Sequence, residues 1–371
     1  MIVYKIPDGR SFLLHVLVEA SYMNSHWCTH YIQGITAQAK RKAIDVVIHT
    51  HFDFITNGDF DDMSVILLGS SLTWTKSAVD YLYAHDVHPI VLAGANYQKL
   101  FPFASFITMD YEDATRKLML FLRARSKKKT AFFSGNSRSA TDMQKVTNFL
   151  QSGGQEADVF NYSGSLKATG DRLLARMDEF DSVLCANDVS AVLLAKRLQS
   201  LGYRLPSDIH LATFGDTILQ SLEIHNIAVA RVKSQEAGKL ALSAYRLLKS
   251  NPSVSSMSLL LHCDILDYNY EPTDIKLPHK DPVFDRNQPP QNFFRDPDVE
   301  KVILVEKLLS GCDKLDVSIL REILIKESYS KIAEKYYIAE NTISYRIKKI
   351  LAAAPDKSKE EVFSLLSEFL L

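Results

Sequence analysis

The sequence predicts an α/β protein: two doubly wound parallel-sheet lobes followed by a small all-α domain. Three observations carry that expectation. From Phe12 to Tyr270, nine apolar runs of four to seven residues alternate with longer segments of helical spacing. Such alternation builds βαβ units with helices on both faces of a sheet, and nine strands exceed one comfortable sheet. After Asp298 the strand pattern stops and helical periodicity alone continues to the end. Between these regions, Glu271–Pro297 holds six of the chain's 12 prolines, a density that blocks helix and central strand alike.

The runs are Phe12–Val18, Asp45–His49, Ser64–Leu68, Pro89–Ala93, Ser105–Met109, Thr130–Phe133, Asp158–Tyr162, Asp181–Cys185 and Ile209–Phe214. All are rich in Val, Ile, Leu or Phe, as strands buried on both faces are. Among the intervening helices, His26–Lys42 sets Trp27, Tyr31, Ile35 and Gln38 on one side, and Ala114–Ala124 and Ala191–Leu201 repeat apolar residues at helical spacing. The helix ending at Leu201 closes on Gly202, a glycine C-cap. The proline-rich stretch reads as an extended linker, with Val283, Phe284, Phe293 and Phe294 as apolar anchors. Beyond it lie helices at Val299–Leu309, Val317–Lys326, Ser330–Tyr336, Thr342–Ala353 and Lys359–Leu370.

With 371 residues, 46% hydrophobic and 23% charged, the chain has ordinary globular composition, which excludes wholesale disorder and a collagenous design. The net charge of −1 gives no global pull toward nucleic acid or anionic membrane, so any DNA contact must come from a local patch. Cys28, Cys185, Cys263 and Cys312 stand singly, as reduced thiols of a cytoplasmic protein do, and no zinc or redox pair is visible. The first ten residues are too few and too polar for a signal peptide, and no apolar run approaches a membrane span.

The stretch Ser328–Ile350 has the requirements of a helix-turn-helix. Ala333 is the small residue for the crossing, and Ile332, Ile338, Ile343 and Ile347 are spaced to face it. Asn341 is suited to cap the second helix. Five basic residues (Lys331, Lys335, Arg346, Lys348, Lys349) outnumber two acidic ones (Glu334, Glu340) between Lys331 and Lys349. The run Ser330-Lys-Ile-Ala-Glu, Ile338-Ala-Glu-Asn-Thr-Ile, Arg346-Ile-Lys-Lys-Ile resembles the helix-turn-helix of LuxR-type response regulators, with Tyr336 and Ala339 replacing the usual leucine and serine. That resemblance implies DNA binding. Asn341, Ser344, Tyr345 and Lys348 would face base edges in the major groove, and Lys331, Thr342 and Lys349 the phosphates.

The run Asp181–Asp216 places a strand end at Ala186, Asn187-Asp188 at a helix start, and a second strand ending at Gly215-Asp216 on the same sheet edge, where open α/β sheets bind ligands. It resembles the effector domain of the lactose/galactose-repressor (LacI/GalR) family, and a weaker likeness runs from Phe12 to about Tyr270. The family fold is that of periplasmic sugar-binding proteins, two doubly wound lobes around a ligand cleft. On that resemblance Trp27 packs on a ligand ring, though a core tryptophan fits equally. Asn187 is a ligand contact, a helix N-cap, or both. Asp216 matches the second Asp of the family's pair, while Gly215 stands where the first would be. Lys145 replaces a sugar-binding arginine and lacks its bidentate fork. Asp110 and Tyr111 are further candidates at the lobe boundary. The family's headpiece is N-terminal; here nothing before Phe12 could form one, and a different headpiece follows the lobes.

Gly69-Ser70-Ser71 and Ser163-Gly-Ser165 are no nucleophile elbow, and Gly135-Asn-Ser lacks the other glycines of a nucleotide fingerprint. His85, His88, His49 and His51 read as single histidines on surface turns, and Asp59, Asp61 and Asp62 as a solvated loop. No catalytic set, metal site or cofactor is expected. The expected organisation is an effector domain at 10–270 (lobe 1 about 10–126 and 232–256, lobe 2 about 127–231 and 257–270), a linker at 271–297 and a DNA-binding helical domain at 298–371. Its expected work is ligand-responsive regulation of transcription, with double-stranded DNA and a small polar effector, a sugar or derivative, as partners of a homodimer. Two alternatives stay open: a ligand-free dimerisation platform controlled by a partner protein, and an α/β enzyme with a helical docking tail.

Overall fold

The structure, a computed structural model, describes residues 2–4, 12–23, 25–55, 64–92, 95, 97–215, 226–266 and 293–371. Asp216, the acidic loop at Asp59–Asp62, the last four positions of the expected effector domain (267–270) and positions 271–292 of the expected linker lie outside them.

Lobe 1 is built on five parallel strands, β2 (Phe12–Val18), β3 (Ile44–His49), β4 (Ser64–Leu68), β5 (His88–Leu92) and β6 (Ser105–Met109), in the order β3-β2-β4-β5-β6. β1 (Ile2–Tyr4) joins antiparallel to β3, and β12 (Ser258–Leu261) joins parallel to β6. Lobe 2 repeats the plan. β7 (Lys129–Phe133), β8 (Val159–Phe160), β9 (Phe180–Cys185), β10 (His210–Gly215) and β11 (Ile227–Arg231) lie as β8-β7-β9-β10-β11, with β13 (Asp264–Leu266) antiparallel on β11. Each lobe thus has the doubly wound order 2-1-3-4-5.

Successive strand residues point to opposite faces, and here both faces are buried. In lobe 1, Val16, Ile66 and Ile90 enter one core, while Leu17, Leu67 and Val91 enter another. In lobe 2, Phe132, Leu184 and Ala212 face one side, and Phe133, Val183 and Leu211 the other. α1 (His26–Lys40), α2 (Leu72–Tyr83) and α7 (Ser234–Ser250) cover lobe 1. α3 (Tyr111–Arg125), α4 (Ala140–Gln151), α5 (Leu166–Leu174) and α6 (Asp188–Ser200) cover lobe 2. α1 and α7 cross closely because both are bare at the contact: a Cβ on Gly34 would meet the Gln235 carbonyl, and one on Gly238 that of Tyr31.

Two lobe boundaries differ from expectation. The first crossing falls at Asp110 rather than 126/127, because α3 packs on β9 and β10 of lobe 2. The last falls after Leu261 rather than 256/257, because β12 still pairs with β6. The expected strand at Asp158–Tyr162 shortens to β8, and β1, β11, β12 and β13 were not anticipated.

The C-terminal bundle comprises α8 (Pro297–Leu309), α9 (Lys314–Leu324), α10 (Tyr329–Tyr336), α11 (Glu340–Leu351) and α12 (Lys359–Leu370). Pro297 occupies the first turn of α8, where its missing N–H costs nothing. The Asp296 side chain caps that helix and also accepts from the Leu166 N–H at the start of α5, 2.7 Å away. Val299, Val302 and Val305 share one apolar core with Val183, Leu194 and Leu198 of lobe 2 and with Ile332, Ile343 and Ile347 of the bundle. The bundle is therefore built onto lobe 2.

Candidate functional site

In a doubly wound sheet the ligand crevice lies beyond the carboxyl ends of the strands, where strand order reverses. In lobe 1 that point falls between β2 and β4, whose exits are Glu19 and Gly69-Ser70-Ser71. In lobe 2 it falls between β7 and β9, whose exits carry Asn136 and Asn187. Ser70, Asn136 and Asn187 all line one cavity of about 640 Å³. The buried Glu19 carboxylate accepts from the Ser70 and Ser71 N–H groups at 3.0 and 3.1 Å, which pins the lobe 1 loop. Ser70 Oγ lies 3.1 Å from Ser139 Oγ, and the Ala140 N–H donates to the Ser70 carbonyl at 3.1 Å, so the lobes touch along this edge.

Lys145 lines the cavity and is only 5% exposed. Its Nζ donates to the Ala186 carbonyl at 2.8 Å, stands 3.5 Å from Asp142 Oδ1, and sits 4.8 and 4.9 Å from the Tyr111 and Phe214 ring centroids. Burial pushes the Asp142 carboxyl above its ordinary range, against the pull of the Lys145 charge and the Asn136 N–H. Burial likewise raises the Tyr111 phenol well above its usual value. Asn187 caps α6 by accepting from the Ser190 N–H at 3.0 Å, which leaves its amide N–H₂ as a donor group at the cavity wall. Trp27 stands between Tyr22 (5.4 Å) and Tyr31 (6.0 Å), half-buried against the core and lining the cavity.

Of the expected ligand residues, Trp27, Tyr111, Lys145 and Asn187 line this cavity. Asp110 does not: it caps α3, accepting from the Asp113 N–H at 3.0 Å, and faces His262 at 3.8 Å. Gly215 has a physical reason, since a Cβ there would run into the Asp188 carboxylate. Asp188 thus supplies an acid at the strand edge where the resemblance led one to look at 215. Asp188 lies on the sheet edge the sequence marked, whereas Asp142 is a cavity acid that the sequence reading missed. That reading also missed a third wall from the C-terminal segment: Phe293, Phe294, Ile303, Glu306 and Lys307. One signal was present, because Glu306 interrupts the apolar run Val302–Leu309 and is 3% exposed.

His49 is no surface-turn residue. It ends β3 half-buried, its Nε2 2.9 Å from His15 Nδ1 and its ring stacked on Phe54 at 3.8 Å. Burial and the neighbouring His15 push its imidazole down to about 4.

In the bundle, α10 ends at Tyr337 in the left-handed region (φ 54°), and α11 starts three residues later. Ile332, Ile343 and Ile347 are buried at the crossing, with Ala333 and Ile338 packed against them. Asn341 does not cap α11. Ala339 occupies that position without a side-chain bond, because Ile338 must reach the core just ahead of it, and Asn341 falls in the first turn. Asn341, Ser344, Tyr345 (70% exposed), Lys348 and Lys349 present an outer face to solvent, and Thr342 is half-buried. Part of the expected basic excess is answered internally: Arg346 bonds Asp313 and Asp316, Lys335 pairs with Glu322 and Lys331 with Glu327, while Lys349 donates to the Gly311 carbonyl.

Among the described residues, no helix is long and apolar enough to cross a membrane. No protein-family model and no curated protein matches the chain. Solved structures do. A transcriptional regulator CelR–cellobiose complex is 12% identical, with a TM-score of 0.57, covering 71% of this chain and 85% of that one. The Lac repressor dimer bound to operator and the anti-inducer ONPF is 16% identical, with a TM-score of 0.58, covering 70% and 81%. A LacI family transcriptional regulator from Mycobacterium smegmatis is 14% identical, with a TM-score of 0.56, covering 70% and 98%. At such identities the likeness shows the fold: the two lobes have the architecture of LacI-type effector domains.

Proposed function

We propose that the chain is a ligand-responsive, DNA-binding regulator of transcription acting as a cytoplasmic homodimer. A small polar effector in the cleft, a sugar or sugar derivative, sets the affinity of the C-terminal helix pair for double-stranded DNA. The observation that carries this reading is the composition of the cavity. Aromatic Tyr22, Trp27 and Phe294 line it together with polar Asp142, Lys145 and Asn187. A ring that offers C–H surface to the aromatics and hydroxyls to the polar groups satisfies both. The similar structures, one holding cellobiose and one an operator, support it. The exposed outer face of α11 supports the DNA-binding half, with Asn341, Ser344, Tyr345 and Lys348 reading bases and Lys331, Thr342 and Lys349 holding phosphates. A ligand changes DNA affinity only by binding one lobe arrangement more tightly, and paired half-sites call for two copies.

Gel shift with the full chain on its own upstream DNA, across rising salt, tests this. Binding should weaken roughly tenfold or more between about 50 and 200 mM salt. Lys348→Ala with Lys349→Ala should weaken it further without lowering thermal stability, and cellobiose, the probe, should shift it. Salt-independent retention, or unchanged affinity in the double variant, overturns the helix assignment.

One observation favours a second reading, a ligand-free platform. The lobes already meet through Ser70, Ser139 and Ala140, and Lys145 is already bonded to the Ala186 carbonyl. That reading expects DNA binding with no thermal stabilisation by any member of a sugar and nucleoside panel.

A further inference from the structure

α8 touches both lobes. On the lobe 2 side it shares a core through Val302 and Val305, and its cap Asp296 bonds the Leu166 N–H. On the lobe 1 side, Phe294 just before it meets Tyr22 edge-on at 5.5 Å, and Glu306 faces His26 Nδ1 at 3.9 Å. Phe293 continues the ring chain to Tyr162 of lobe 2 at 5.2 Å. Both lobe 1 contacts border the cavity. A helix so placed is at once a wall of the cleft and the first helix of the bundle. Lobe 1 cannot swing away from lobe 2 without parting Tyr22 from Phe294 and His26 from Glu306.

We infer that α8 is a strap across the cleft: its contacts to lobe 1 hold the lobes closed, and through them the pose of the helical bundle and the opening of the cleft are linked in both directions. This deepens the proposed function by naming how its site is regulated. It differs from a signal passed along a linker, since the strap is itself part of the cavity wall. Linkage requires reciprocity, so whatever biases one end biases the other by the same factor.

The test reads the opposite edge of the cleft. The Ala140 N–H donates to the Ser70 carbonyl across the lobes, so its hydrogen exchange reports closure. In the full chain, with no ligand added, Phe294→Ala combined with Glu306→Gln should speed Ala140 exchange roughly tenfold. His26→Ala with Tyr22→Leu, which removes the same contacts from lobe 1, should act in the same direction. Slow exchange retained at Val183 and Leu211 shows that both proteins remain folded. Ala140 exchange within about twofold of the parent in both variants, whether or not α8 itself loosens, overturns the strap. Failure of every sugar to bind would count against the proposed effector and leave this result standing.

Discussion

The two lobes share a strand order yet differ in what lies outside their second face. In lobe 1, the face carrying Leu17, Leu67 and Val91 is closed by Val79 and Leu82 of α2, with Ala140 of lobe 2 in the same core. In lobe 2, the face carrying Phe133, Val183 and Leu211 is covered by α5 and α6, and the same apolar core runs on through Val299, Val302 and Val305 into Ile332, Ile343, Ile347 and Phe369 of the bundle. The lobes share a core through their first faces, but on the second face only lobe 2 continues into the helix pair as one packed body. An added helical domain has become part of the lobe's hydrophobic core, and that is what lets it also reach the cleft.

The largest expected effect breaks this shared core. Val302 is fully buried where lobe 2 and the bundle meet. Val302→Asp forces a carboxylate into that contact, at a cost of at least about 3 kcal/mol. Denaturant unfolding followed by residue-resolved hydrogen exchange should show lobe 2 and the bundle losing protection together, and by more than the second face of lobe 1. Loss confined to the bundle would mean that the continuous core does not make one cooperative unit.

The mirror experiment strikes lobe 1. A side chain at Gly34 meets the Gln235 backbone, which cannot move aside as a flexible side-chain tip can. Gly34→Val should cost roughly 1–3 kcal/mol through overpacking. Protection should fall in α1, α7 and the lobe 1 strands and stay unchanged in Val302, Ile343 and Val183. Equal loss in the bundle would erase the contrast between the lobes.

The same contrast explains what could be read from residues alone. Strands that are buried on both faces announce themselves, and Ser64–Leu68 and Ser105–Met109 were legible to the residue. β11 is diluted by Ala228 and Ala230, and β12 and β13 are short edge strands, so no apolar run marked them. The crossings at Asp110 and after Leu261 carry no change of composition, because the chain passes between lobes in a few residues. At the cleft, Trp27, Tyr111, Lys145 and Asn187 were legible through family resemblance. Phe294 and Glu306 were not, because they reach the cavity from a C-terminal segment more than a hundred residues past those four, which no resemblance to the lobes covers. The helix pair was legible from its isoleucines, while the start of α11 was misjudged because a good capping residue, Asn341, lay two positions past the true cap, Ala339.

The smallest predicted effect sharpens the comparison through pH. His49 of lobe 1 is half-buried beside His15, and burial with the neighbouring His15 lowers its imidazole to about 4 from 6.5. The folded form therefore binds this proton less readily than the unfolded chain does. The resulting stability is complete above pH 6.5, declines as pH falls toward 4, and levels off below it. With discount for partial exposure the effect is about 1 kcal/mol. Amide protection measured between pH 7 and 4 should fall preferentially in β2 and β3, and His49→Gln should flatten that part of the profile. A slope equally steep in His49→Gln would assign the acid sensitivity to other groups and leave the two lobes alike in this respect.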